Sequence, residues 1–141
     1  MNHIIESQDF PPNYDDIKRS LELTGEEVFC YGNVIYNPSK KTLTEDLINH
    51  EAHHIKQQLK NPSAWWSLYL EDPIFRASQE IPAYQIQYQT AKRIIKDRER
   101  LHQYLVQIAK NLSSERYGKV MTFSEAIDAT KSEKLFNVAR L

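Results

Sequence analysis

One cysteine and three glycines in 141 residues are scarcities that each close off a class of protein. With Cys30 alone, no internal disulfide can staple the chain, which excludes a disulfide-built scaffold. So few glycines, beside long stretches rich in Gln, Lys, Glu, Leu and Ile, argue against a sheet-dominated fold with many tight turns. No long apolar run follows the N-terminal MNHIIESQDF, so neither a signal peptide nor a membrane span is expected, and a reducing cytoplasm is the expected location. Basic charge is not in excess either: the formal net charge is −1, which argues against nucleic acid as a partner. What remains, at 40% hydrophobic and 26% charged, is the composition of an ordinary globular protein, and the length suits one domain over 1–141.

The pattern along the chain predicts a compact α+β domain that is mainly α. FPPNYDDIKRSLEL opens on a Pro-Pro turn, offers Asn13 as N-cap, and sets Ile17 and Leu21 one turn apart, predicting a short helix. EEVFCYGNVIYNP carries β-branched and aromatic residues around Gly32-Asn33 and stops at Pro38, predicting a hairpin or two short strands. It is the one convincing β signal. LTEDLINHEAHHIKQQL follows, with Ile48, Ala52, Ile55 and Leu59 at helical spacing; it starts at Thr42, which makes a capping box with Glu45, or at Thr44. Asn61-Pro62 ends that helix. After the short amphipathic SAWWSLYLED, Asp72-Pro73 reads as a cap and first helical position, opening a helical region to about Leu112 that Pro82 should kink or break. LSSERYGKVM reads as a loop, and a last helix starts at Thr122 or Ser124 and runs toward Leu135.

Chemistry concentrates in His50-Glu51-Ala52-His53-His54. On a helix His50 and His54 lie one turn apart on one side, the spacing at which two imidazole nitrogens can bind one zinc ion. Glu51, between them, is poorly placed to bind the same ion but can reach a water held there and take its proton. HExxH is thus ligand, base and ligand on one helix. A hydrolytic zinc needs a third protein ligand and an open position. His53 is rotated about 100° from His54 around the helix axis and should point elsewhere; His3 and His102 have no ligand context. Glu80 suits the role best, being on the next substantial helix with the small Ala83 one turn on, where two helices can approach. Glu71 and Asp72 are weaker rivals, since Asp72 is better used as a cap.

A strand-like segment ending VIYNP, a helix with HEAHHIKQQ and a downstream Glu-x-x-Ala-Tyr together resemble the minimal gluzincin zinc metallopeptidases, including small phage and bacterial forms. The resemblance spans roughly Val28 to Tyr88. It implies a zincin-like core, Zn²⁺ held by His50, His54 and Glu80, Glu51 as general base, and hydrolysis of a peptide or protein substrate. It also implies a strand edge within Val28 to Tyr36 that pairs with extended peptide. Tyr84, one turn after Glu80, is the candidate oxyanion stabiliser.

Two other functional readings stand beside this one: a catalytically silent metal-binding or interaction module, and a hydrolase of a different amide such as a cell-wall peptide crosslink. Trp65, Trp66, Tyr69, Phe75, Tyr84 and Tyr88 are read as core filling rather than as a substrate wall. Cys30 is read as a small strand hydrophobe, and KRIIKDRERLH as a solvated amphipathic helix. Neither oligomeric state nor cleavage specificity is legible.

Overall fold

The computed structural model describes residues 4–136. Among these residues three strands form one small sheet: β1 (Ile5–Ser7), β2 (Phe29–Tyr31) and β3 (Val34–Tyr36), in the order β1-β3-β2. β2 and β3 make the expected hairpin around Gly32-Asn33. Gly32 sits at φ +62°, the positive value that a two-residue connection of the II′ kind needs at its first position. β1 was not expected. It pairs parallel with β3, Glu6 opposite Ile35, and so makes β3 the central strand. Asn37, fully buried just beyond β3, ties this corner together: its side chain accepts from Lys41 N and donates to Lys41 O and to Glu6 Oε2.

The helices are α1 (Tyr14–Ser20), α2 (Glu45–Gln58), α3 (Pro62–Glu71), α4 (Pro73–Ile94), α5 (Arg98–Leu112) and α6 (Phe123–Lys131), with a single 3₁₀ turn at Glu115–Tyr117 inside the predicted loop. α2 starts after Thr44, and the Thr42–Glu45 capping box does not form. Asn61 does more than end α2, since its side chain accepts from Ala64 N and caps α3. Asp72 caps α4 by accepting from Ile74 N and Phe75 N, with Pro73 at the first helical position as expected. Thr122 and Glu125 form a reciprocal capping box on α6, which stops at Lys131 rather than near Leu135.

Two expectations about the long helical region are corrected. α4 runs through Pro82 without a break, and the interruption falls instead at Ile95–Asp97, where Asp97 caps α5. KRIIKDRERLH therefore straddles a helix junction, with Ile94 half exposed. α4 tolerates its proline because it is the central helix: α2, α3, α5, α6 and the 3₁₀ turn all pack on it, and most residues from Arg76 to Ala91 are buried. Tertiary burial on every side outweighs the local cost of one missing hydrogen bond.

Two apolar clusters flank α4. Ala77, Ile81 and Tyr88 meet Leu105, Ile108, Leu112 and Ala126 on one side. On the other, Ile17 and Phe29 meet Trp65, Trp66 and Tyr69. The described C-terminal segment is tied to α4 by Gln85, whose side chain donates to Ala129 O and Lys134 O and accepts from Phe136 N. No helix among the described residues is long and apolar enough to cross a membrane.

Candidate metal centre

α2 and α4 pack along one another, and at their contact His50, His54 and Glu80 converge. His54 Nε2 is 3.1 Å from His50 Nε2 and 2.8 Å from Glu80 Oε1, and His50 Nε2 is 3.0 Å from the same oxygen. All three residues are buried. Such a triangle of nitrogen and oxygen atoms is unstable by itself: neutral imidazole nitrogens and a carboxylate oxygen all offer lone pairs, so a cation or a proton must lie among them. Zinc bonds of about 2.0–2.1 Å in a tetrahedral site put donor atoms roughly 3.3 Å apart, so a few tenths of an ångström of opening fits an ion. The group can hold a metal ion. Pro82, inside the third-ligand motif, does not displace Glu80.

The other candidates are elsewhere. Asp72 is spent as the α4 cap, and Glu71 and His102 are exposed. His53 is outside the triangle and half-buried, its pKa lowered to about 4 by burial and by the nearby His54 and Lys56 charges. His3 lies outside the described residues.

A second layer of hydrogen bonds holds the triangle. Tyr69 on α3 donates to Glu80 Oε2 at 2.5 Å, leaving Oε1 to face the histidines. Gln57 Oε1 lies 2.7 Å from His54 Nδ1, whereas the buried Nδ1 of His50 has no partner among the described residues. From sequence Tyr69 was read only as core filling, and Gln57 was not singled out. Gln57 had a signal, since it follows His54 by three residues on the same helix face.

Glu51 is beside the triangle but not in it. Its side chain is 14% exposed, and its Oε2 lies 3.9 Å from His50 Nε2. Burial raises its pKa, opposed by the charges of His50 and His54. The Tyr84 ring packs edge-on to His50 with centroids 4.6 Å apart. Burial and then the Glu80 carboxylate push the Tyr84 hydroxyl up, so it stays protonated and able to donate.

His50, His54, Glu80, Glu51 and Tyr84 all line one cleft of about 620 Å³. Trp65, Trp66 and Tyr69 fill the core, as expected, and also line this cleft. The far wall comes from Tyr104 and Asn111 on α5 and from Arg116 and Tyr117 on the 3₁₀ turn. No described residue after Tyr117 lines it. Arg116 is placed by its backbone: the buried Arg76 donates to Arg116 O, Tyr69 O and Leu70 O, joining the turn to α3.

The expected strand edge is corrected. β3 is paired on both sides, and on β2 the outward carbonyl of Cys30 already accepts from Gln58 Nε2 and Trp66 Nε1, at 3.1 and 3.0 Å. Gln58 Oε1 accepts from Gly32 N at 2.8 Å, so one side-chain amide fills the place of a neighbouring strand. Of Val28 to Tyr36, only the part before Cys30 remains open to pairing. Cys30 is buried as expected, and burial raises its thiol pKa.

In the metal-free protein a proton takes the cation's role. Burial alone would lower the His54 pKa, but the Glu80 carboxylate and its hydrogen bond outweigh burial and lift it to about 9. The folded value lies above the ordinary unfolded value of about 6.5, so this stabilisation is complete below pH 6.5 and is lost as pH rises through 9. Metal displaces the same proton, so its affinity should rise over that window. The expected result is a melting temperature that falls from pH 6.5 to 9 without metal; a flat or rising metal-free profile contradicts the His54–Glu80 pair.

Comparison with known proteins finds no matching family model, and no curated protein or solved structure matches the chain.

Proposed function

We propose that the chain is a zinc-dependent peptide hydrolase. The observation that carries this reading is the placement of Glu51, a largely buried carboxylate in the same cleft as the triangle yet outside it. A site built only to store metal has no need of a base there. Two imidazoles and one carboxylate are the ligand set of a zinc site with an open fourth position. When bound, zinc supplies Lewis-acid activation of a water and of the scissile carbonyl.

The chain's own groups do the rest. His50, His54 and Glu80 hold the ion, and the Tyr69 hydroxyl keeps Glu80 turned toward it. Glu51 accepts the proton of the attacking water and returns it to the leaving amine. Tyr84, protonated at neutral pH, donates its hydroxyl hydrogen to the oxygen that gains charge as the carbonyl becomes tetrahedral. Substrate backbone pairs with the strand edge ahead of Cys30, since the edge beyond it is filled. The resemblance to minimal gluzincins implies the three zinc ligands and Glu51 as the base, whereas the roles of Tyr69 and Tyr84 rest on the geometry alone.

The test is elemental analysis of the purified chain, followed by incubation with a mixture of unstructured peptides read by mass spectrometry, with and without a chelator. About one zinc per chain and chelator-sensitive cleavage are expected. A zinc-loaded chain that cleaves no peptide but opens cell-wall crosslinks would move the substrate; one that cleaves neither would leave a metal-binding module.

A further inference from the structure

We propose that Gln57 is a positioning residue for the metal centre: its side-chain amide fixes the His54 ring with the proton on Nδ1, so that Nε2 offers its lone pair to the ion. This rests on the metal-centre reading above. Pro82 has no N–H to give the Ser78 carbonyl one turn back in α4. The next carbonyl, Gln79 O, accepts a hydrogen bond from Gln57 Nε2 across the helix contact at 2.9 Å. A carbonyl can only accept, so the amide nitrogen of Gln57 must face Gln79 and the amide oxygen must face away from it.

That oxygen lies 2.7 Å from His54 Nδ1. An amide oxygen also only accepts, so Nδ1 carries the hydrogen and donates it. A neutral imidazole protonated at Nδ1 has a bare Nε2, and Nε2 is the His54 atom that faces Glu80 and His50. Gln79 is itself anchored from a third helix, because Trp65 Nε1 donates to its side-chain oxygen at 2.9 Å. A line of hydrogen bonds thus runs from the proline turn of α4 through Gln57 to a ligand of the site. Among the described residues, His50 Nδ1 has no such partner. Of the two rings, His54 is the one held through its outer nitrogen, by Gln57.

The competing account is that Gln57 merely ties α2 to α4. Two variants separate them. Gln57→Met removes both hydrogen bonds. Gln57→Glu keeps an acceptor for His54 Nδ1 and loses the donor to Gln79 O. The zinc dissociation constant is measured at neutral pH by competition with a chromophoric chelator, and the zinc-loaded proteins are examined by ¹H–¹⁵N NMR for the His54 Nδ1 proton. Loss of an outer hydrogen bond on a ligating histidine weakens metal binding about 10–100-fold, so Gln57→Met should lie in that range and lose the slowly exchanging ring proton. Gln57→Glu should bind zinc at least as tightly as the parent and keep the proton signal. Equal weakening in both variants, or a Met variant indistinguishable from a zinc-binding parent, overturns this inference and leaves the metal centre standing. A parent that takes up no zinc overturns both.

Discussion

Glu51→Gln is expected to lose nearly all peptide cleavage while binding as much zinc as the parent. The substitution keeps the shape of the side chain and removes only its ability to take a proton. Glu51 does not belong to the ligand triangle, its nearer oxygen being 3.9 Å from His50 Nε2, so the ion loses no bond. Burial raises its pKa and makes it a stronger base than an exposed glutamate, which enlarges what its removal costs. Loss of a positioned general base lowers rates by about 10²-fold to 10⁴-fold. Removing a largely buried negative charge should leave the melting temperature at or above the parent value. The comparison needs cleavage rates on one peptide from the mass-spectrometric screen, with zinc content measured on the same samples. Equal rates in parent and variant would remove Glu51 from the mechanism.

The second large effect is on stability. A ligand that binds only the folded chain stabilises it by RT ln(1 + [L]/Kd), about 4.1 kcal/mol at a thousandfold excess over Kd. Zinc should therefore raise the melting temperature of the parent sharply. His54→Ala should abolish that rise, because it removes one corner of the triangle and leaves the Glu80 carboxylate with a single histidine beside it. Glu80→Gln should abolish it too while leaving the helical circular dichroism signal in place. Asp72→Ala is the control: it loses the α4 cap, about 1 kcal/mol, and should keep the whole zinc-dependent rise. Since the quantity compared is the increment on adding zinc, the cavity that His54→Ala leaves does not enter it. A His54→Ala chain stabilised by zinc as strongly as the parent would refute the ligand set.

The parts of this protein written in local patterns were the parts legible in its sequence. HExxH placed His50 and His54 on one helix face with Glu51 beside them, and the Asp72-Pro73 cap, the Gly32-Asn33 turn and the Thr122 alternative for α6 all lie where short-range chemistry puts them. Glu80 was reachable because a third ligand had to come from the next helix. β1 was not: three residues, IES, carry no alternation to read, and their partner β3 lies 29 positions away (34 − 5) in a parallel pairing. Pro82 misled for the opposite reason. Its local cost is real, but α4 is enclosed on all sides, and packing decided the matter. The helix end fell at Ile95–Asp97, inside a charge run whose amphipathic pattern hid the capping aspartate. The Tyr69 bond to Glu80 and the Gln57 bond to Gln79 O were not legible because they are contacts across helices rather than spacings along one. The open strand edge was misjudged for the same reason: the amide that fills it arrives from Gln58, at the end of another element.

All three ligands of the triangle fall within residues 50–80. His54 and Glu80 are 26 residues apart, and His50 and Glu80 are 30 (80 − 50). Loop-closure entropy grows only slowly with length, and contacts between neighbouring helices are among the fastest to form in a folding chain. The hairpin, α2, α3 and the first half of α4 can meet before α5 has anything to pack against. The far wall of the cleft, drawn from residues 104–117, then closes over ligands already in place. By topology alone, the three residues of the triangle can meet early, and the cleft wall opposite them is completed from later segments of the chain.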